Sequence, residues 1–156
     1  VYTLGGRTGR LSSEVVSSNS LEEFDPRGRS VRTQLLSGWQ NVSARAGHTM
    51  VEWVDGSGRR HLVVFGGAGY QATSEDADST GGAGEVPSGP LLADVASVDV
   101  LEAEWSMHNN TGAGPSPRKF ASAAVWRGDV MLVYGGLTND GSASSELWAY
   151  NLTSRR

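Results

Sequence analysis

Three apolar runs in this chain each stop on a pair of glycines: Val1-Tyr2-Thr3-Leu4-Gly5-Gly6, Leu62-Val63-Val64-Phe65-Gly66-Gly67 and Met131-Leu132-Val133-Tyr134-Gly135-Gly136. The pairs stand 61 and 69 residues apart. Short runs of Val, Leu, Phe and Tyr read as buried strands. A double glycine ends such a run, because glycine reaches φ > 0 and lets a second backbone come close. A recurring unit of this kind constrains the fold strongly, since each unit must bury its faces against the next.

The same order of parts surrounds each pair. In the middle unit, Gly47 to Trp53 reads as a strand, Asp55-Gly56-Ser57-Gly58 as a turn, and Arg60 to Phe65 as a second strand. A polar loop, 68–90, follows Gly66-Gly67. Asp94 to Val100 alternates as a third strand, Trp105 to His108 begins a fourth, and Asn109 to Pro117 is a Gly/Pro/Asn-rich return. The last unit repeats this with strands at Ala121–Trp126, Val130–Tyr134 and Glu146–Tyr150. The first unit has no opening strand. Its third strand is expected at Ser20–Asp25 and its fourth near Trp39, after an Arg/Ser-rich insertion at 26–38. Four short antiparallel strands per unit make a propeller blade. The fold class is therefore all-β, with about two and a half four-stranded blades of an incomplete ring. Blade 1 is a remnant over about 1–43, blade 2 covers about 44–108, and blade 3 covers about 117–156. Since propellers close with about four to eight blades, the chain is expected to be a segment of a longer protein that supplies the rest.

These residues resemble the kelch-repeat β-propeller family, to which galactose oxidase-like propellers also belong. The family pattern is an Arg-x-Gly-His opening, a strand ending in Gly-Gly, a strand ending in Tyr-Asp, and a later Trp. Arg45-Ala46-Gly47-His48, Gly66-Gly67, Val98-Asp99 and Trp105 match it in order, with Val98 in place of Tyr. Gly5-Gly6, Phe24-Asp25 and a more distant Trp39 fill these roles in the first unit. Arg118, Gly135-Gly136 and Tyr150-Asn151 fill them in the last, where Ala121 replaces the histidine. The resemblance implies structural roles. The glycines permit a sharp exit, the aromatic rings pack between sheets, and Arg45, Arg118 and His48 satisfy backbone or neighbouring-blade groups.

Strand direction alternates within a blade, so the loops after the second and fourth strands share one face. Rigidly held loops of this kind carry binding in many folds. A partner protein is therefore expected at Tyr70, Glu75, Asp76 and Asp78 of the 68–90 insertion, and at Thr138, Asn139 and Asp140 of the 137–144 loop. The chain is read as a protein-binding scaffold, with a carbohydrate-related enzyme or lectin-like module and a purely structural role as alternatives.

Composition narrows the chemistry. The 156 residues carry a net charge of −4 and no cysteine. The balance argues against nucleic acid as the main partner. The missing thiols remove disulfides and the cysteine-modified tyrosine of the copper oxidases in this family. No cofactor or metal is expected: Glu75-Asp76-Ala77-Asp78 lacks the spacing and glycine of a calcium loop. His48, His61 and His108 do not converge on a nucleophile, so no catalytic residue is assigned. No apolar run is long enough to span a bilayer, and no signal peptide is expected within these residues, which open directly on a strand pattern. Between His61 and Pro117 there is no Lys or Arg but eight acidic residues, a sector that could steer a basic partner. Arg127-Gly128-Asp129 is read as a hairpin turn rather than an adhesion motif. Three glycosylation sequons, at Asn41, Asn109 and Asn151, favour a secreted or lumenal setting.

Overall fold

A computed structural model describes residues 1–8, 16–34, 37, 42–69, 89–108 and 114–155. The described residues form antiparallel sheets. The first sheet joins β1 (Tyr2–Thr8), β2 (Val16–Asp25) and β3 (Ser30–Gln34) in that order. A short strand β4 (Arg45–Ala46) precedes the second sheet. That sheet begins with β5 (Thr49–Val54) and β6 (Arg60–Phe65). After β6 come another short strand, β7 (Ala68–Gly69), and then β8 (Val95–Asp99) and β9 (Glu104–His108). Its order is β5-β6-β8-β9, a complete four-stranded blade. The last unit adds β10 (Arg118–Lys119), β11 (Ser122–Trp126), β12 (Val130–Tyr134), β13 (Leu137–Thr138) and β14 (Leu147–Asn151). In it β11, β12 and β14 make one sheet, and β10 pairs with β13 as β4 pairs with β7.

The burial of each strand follows from its blade's position. In β6 the residues Leu62, Val63, Val64 and Phe65 are all buried, and so is every residue of β8. Both faces of the middle blade are covered, so its strands need apolar side chains in both directions. One face places Leu62, Val64, Val98 and Trp105 against Leu4, Leu21 and Val42 of the first unit. The other places Val51, Val63, Phe65 and Val95 against Met131, Val133 and Leu152 of the last. At about 1.5–3 kcal/mol for each large apolar side chain fully buried, these two seams hold the arc together. Blades 1 and 3 each pack against the middle blade on one face. Their outward faces expose Phe24 and Val31 at one end, and Trp126, Tyr134 and Leu147 at the other.

Three turns repeat one device. Asp25 accepts from the Arg27 amide, Asp99 from the Leu101 and Glu102 amides, and Asn151 from the Ser154 amide. Four residues after each stands a non-glycine residue with positive φ: Arg29, Ala103 and Arg155. The Asp of the family pattern is thus an Asx cap on the return from the third strand.

The first unit departs from its expected layout in three respects. β1 continues through Gly5-Gly6 to Thr8, with a bulge between Leu4 and Gly6. The third strand starts at Val16 rather than Ser20. The stretch 26–38 is not an insertion as a whole, since Ser30–Gln34 pairs with β2 as the fourth strand. Phe24 opposes Val31 as Val98 opposes Trp105. Val31 therefore holds in this unit the register position that Trp105 holds in the middle blade; Trp39 lies outside the described residues. The strand escapes a hydrophobic pattern because it has no covered face, four of its five residues being exposed.

The glycine pair of the middle blade is packed too tightly for side chains. A Cβ on Gly66 would lie 2.6 Å from the Arg118 carbonyl oxygen, and the residue has φ +64°. Gly58 has φ +86° but open space around it. Gly66→Ala is expected to cost at least about 2 kcal/mol, combining left-handed strain with a backbone clash. Gly58→Ala should cost about 1–2 kcal/mol from strain alone. Urea denaturation of both variants measures the difference, and equal losses would refute the packing argument.

Candidate functional site

The loop face is built outward from two buried arginines. Arg45, 2% exposed, donates from Nη1 to the Gly66 carbonyl (3.1 Å) and from Nη1 and Nη2 to both oxygens of Asp94 (2.8 and 2.7 Å). Arg118, 1% exposed, repeats this with the Gly135 carbonyl (3.1 Å) and Glu146 Oε2 (2.6 Å), and adds Ser116 and Ser144. A buried guanidinium is tolerated only when its donors are met, and a planar fork matches a carboxylate. The Arg118 hydrogen bond also holds Glu146 below the usual carboxylate range. Asp94 and Glu146 were not recognised as partners from sequence. Their signal is a carboxylate placed just before the third strand in both units.

The glycines next carry the connection to the following blade. The Gly67 amide donates to the Arg118 carbonyl (2.8 Å), the Leu92 amide to the Gly67 carbonyl (2.8 Å), and the Arg118 amide to the Leu92 carbonyl (3.1 Å). This ladder puts β10 beside the exit of β6. The exits from the second strands of blades 2 and 3 therefore lie on one side, as alternation requires.

Between them lies an open cleft of about 580 Å³, lined by Pro90, Leu91, Lys119, Leu137, Thr138 and Asn139 among others. Two of the expected partner-binding residues, Thr138 and Asn139, line it. Asp140 has a bracing role: its Oδ1 accepts from Thr138 Oγ1, the Ser142 amide and Ser142 Oγ. Hydrogen bonds from Ser142 and Thr138 pull its carboxyl down to about 2. Tyr70, Glu75, Asp76 and Asp78 lie outside the described residues.

Other expected residues have roles within the frame. Trp105 packs in the seam between blades 1 and 2, though its Nε1 is buried with no partner among the described residues. The Nδ1 of His48 likewise has none there. The backbone nitrogen and Cβ of His48 pack within 2.9 Å of where a Gly67 Cβ would stand. Burial, then the nearby Arg45, keeps its imidazole below the ordinary range. Arg127 and Gly128, both with positive φ, turn the β11–β12 hairpin, and Asp129 accepts from Asn151 Nδ2 (3.2 Å). The Asn151 amide that a glycan would occupy is thereby engaged, and Leu152 beside it is 1% exposed. Asn41 and Asn109 lie outside the described residues.

The acidic sector is partly neutralised. Asp94 pairs with Arg45, and both Asp99 and Glu102 pair with Arg59. Among the described residues no group of three or more His, Asp or Glu side chains is arranged to hold a metal ion. No helix among them is long and apolar enough to cross a membrane.

One arrangement was not legible in the sequence. His108, 4% exposed, sits between Ser97 Oγ (2.9 Å from Nε2) and Tyr150 OH (3.2 Å from Nδ1), tying blade 2 to blade 3. Ser97 is also buried, so this contact is a latch between two sheets. Burial, with Arg155 and His61 adding repulsion, lowers His108 to about 4. The unfolded chain titrates near 6.5, so the folded state requires the neutral ring. That contribution is complete above pH ~6.5 and is lost as the pH falls from there towards 4. Stability is expected to drop by about 2–3 kcal/mol across this window. Chemical denaturation at steps from pH 7 to pH 4.5 measures it, and His108→Gln should flatten the profile. An unchanged slope in that variant would remove His108 as the cause.

Comparison with known proteins agrees with this architecture. The family model described as the KLHDC2/KLHL20/DRC7 Kelch-repeats domain matches residues 1–156. The chain is similar to multiple epidermal growth factor-like domains protein 8 of Mus musculus, with 35% identity over 70% of this chain. It is also similar to Adagio-like protein 3 of Oryza sativa subsp. japonica, with 28% identity over 88% of this chain. It spans only 3% of the mouse protein and 18% of the rice protein. The solved structure of YjhT superposes with a TM-score of 0.67 at 18% identity, covering 97% of this chain and 46% of that one. At that identity the likeness concerns the fold alone.

Proposed function

The chain belongs to the kelch-repeat family, and on that premise we propose that it is the protein-binding part of a larger propeller. The partner is engaged on the face where the second-strand exits of blades 2 and 3 meet. The observation that carries this reading is the cleft beside Lys119, Thr138 and Asn139, set in a frame that the two arginine clusters make rigid. A rigid frame lowers the ordering cost of binding. The outward faces of blades 1 and 3, with their exposed Trp126, Tyr134 and Leu147, are surfaces for further blades of the same parent chain. That they would pack against such blades fits a chain that covers a small share of its relatives.

A photo-crosslinking residue placed at Asn139, with Glu102 on the opposite face as control, tests the proposal. Covalent capture of one partner protein from Asn139 and not from Glu102 is the expected result. Equal capture from both positions, or none from Asn139, would sink the assignment of the face.

A further inference from the structure

Phe120 is the residue whose conformation the fold does not explain. It has φ +60°, the left-handed region that a bulky side chain rarely adopts. The other non-glycine residues with positive φ among those described, Arg29, Ala103, Arg127 and Arg155, all lie in the turns already described. Phe120 instead stands between Arg118-Lys119 and the start of β11. The equivalent residue of blade 2 is Gly47, also left-handed at φ +69°. The position therefore asks for glycine, and the sequence supplies a large aromatic ring.

Packing gives no compensation sufficient to account for it. Phe120 is 64% exposed. Its ring lies over Gly47, where an added Cβ would come within 2.7 Å of it, and its amide donates to the Gly47 carbonyl (2.7 Å). A strained residue that leaves most of an aromatic ring in water points towards recognition rather than stability.

Its neighbour supplies the charge. Lys119 is the single lysine of the chain. It lines the inter-blade cleft, and its Nζ lies 5.4 Å from the Phe120 ring centroid. It makes no ion pair among the described residues, and the other residues lining the cleft, such as Pro90, Leu137 and Asn139, carry no charge. Among the described residues, Lys119 is thus the one charge lining the cleft, in a chain whose net charge is −4.

We infer that Lys119 and Phe120 form the recognition point for an extended partner segment bearing a carboxylate side chain, which Lys119 pairs while Phe120 packs against the adjoining apolar residue. This inference rests on the protein-binding role proposed above and names the chemistry of its partner. A charged group met at a partly desolvated cleft, beside an exposed ring, is the combination that gives both specificity and contact area.

A displayed library of random linear peptides, selected on the full chain, tests it. Enriched peptides should share an Asp or Glu next to an apolar residue. The best of them, made as a fluorescent probe, should bind at least ten-fold more weakly to Lys119→Met and to Phe120→Gly, and should weaken as salt is raised. Phe120→Gly restores the residue that the backbone favours, so its thermal stability should be equal to or above that of the unaltered chain. Lys119→Met provides a second variant whose backbone requirement is unchanged. Enriched peptides without a carboxylate, no enrichment at all, or undiminished affinity for either variant would overturn the inference. So would preferential binding of uronic acid-bearing oligosaccharides on a glycan array. Carboxylate-free peptides that still crosslink at Asn139 would overturn this chemistry while leaving the broader reading intact. Failure of all capture at Asn139 would overturn the broader reading itself.

Discussion

A buried guanidinium at the end of the second strand, in blades 2 and 3, is the contact on which the rest of this arc depends. Arg45 gathers three separate segments: its own opening strand, the Gly66 carbonyl and the Asp94 carboxylate. Arg118 does the same for Gly135 and Glu146. Removing a partner from such a cluster would leave a charge buried and unmatched, which is far more costly than never having the pair. The cluster fixes where the backbone turns out of the blade. The glycines then let the next blade approach, since Gly66 leaves no room for a side chain beside the Arg118 carbonyl. One device thus sets both the internal geometry of a blade and the spacing between blades.

That coupling also shapes the surface. β7 and β13 each pair with the two-residue strand that carries the arginine. The loops that follow begin from defined positions, and the cleft between them inherits that definition. The 137–144 loop is further stiffened by Asp140, whose carboxylate organises Thr138 and Ser142 around itself. The sequence marks Asp140 as a contact residue, whereas in the structure it braces its own loop. The neighbouring Thr138 and Asn139 are the residues left facing the cleft.

Much of the fold was legible because its signals are local. The glycine pairs, the apolar runs of β6 and β12, and the turn at Asp55 to Gly58 each follow from the conformational needs of a few consecutive residues. β3 was not legible. Its residues Ser30 to Gln34 carry no apolar alternation, because one blade face is open at the end of the arc. Register, which a residue's type does not reveal, is what sets Val31 opposite Phe24 as Trp105 is set opposite Val98. The His108 latch was hidden for a different reason. Ser97, His108 and Tyr150 belong to different strands and two blades, and nothing in their sequence spacing brings them together.

By itself the sequence determined the repeating unit, the all-β class and the residues that punctuate each strand. Those properties depend on which φ a residue can adopt and on how apolar side chains alternate along a few residues. Tertiary structure alone decided what pairs with what across the blades. It decided that Asp94 and Glu146 neutralise the buried arginines, that Asn151 serves as a cap with an engaged amide, and that the only lysine stands at a cleft beside a strained phenylalanine. These relations depend on the register and stacking of sheets, which form only when each blade buries its faces against the next.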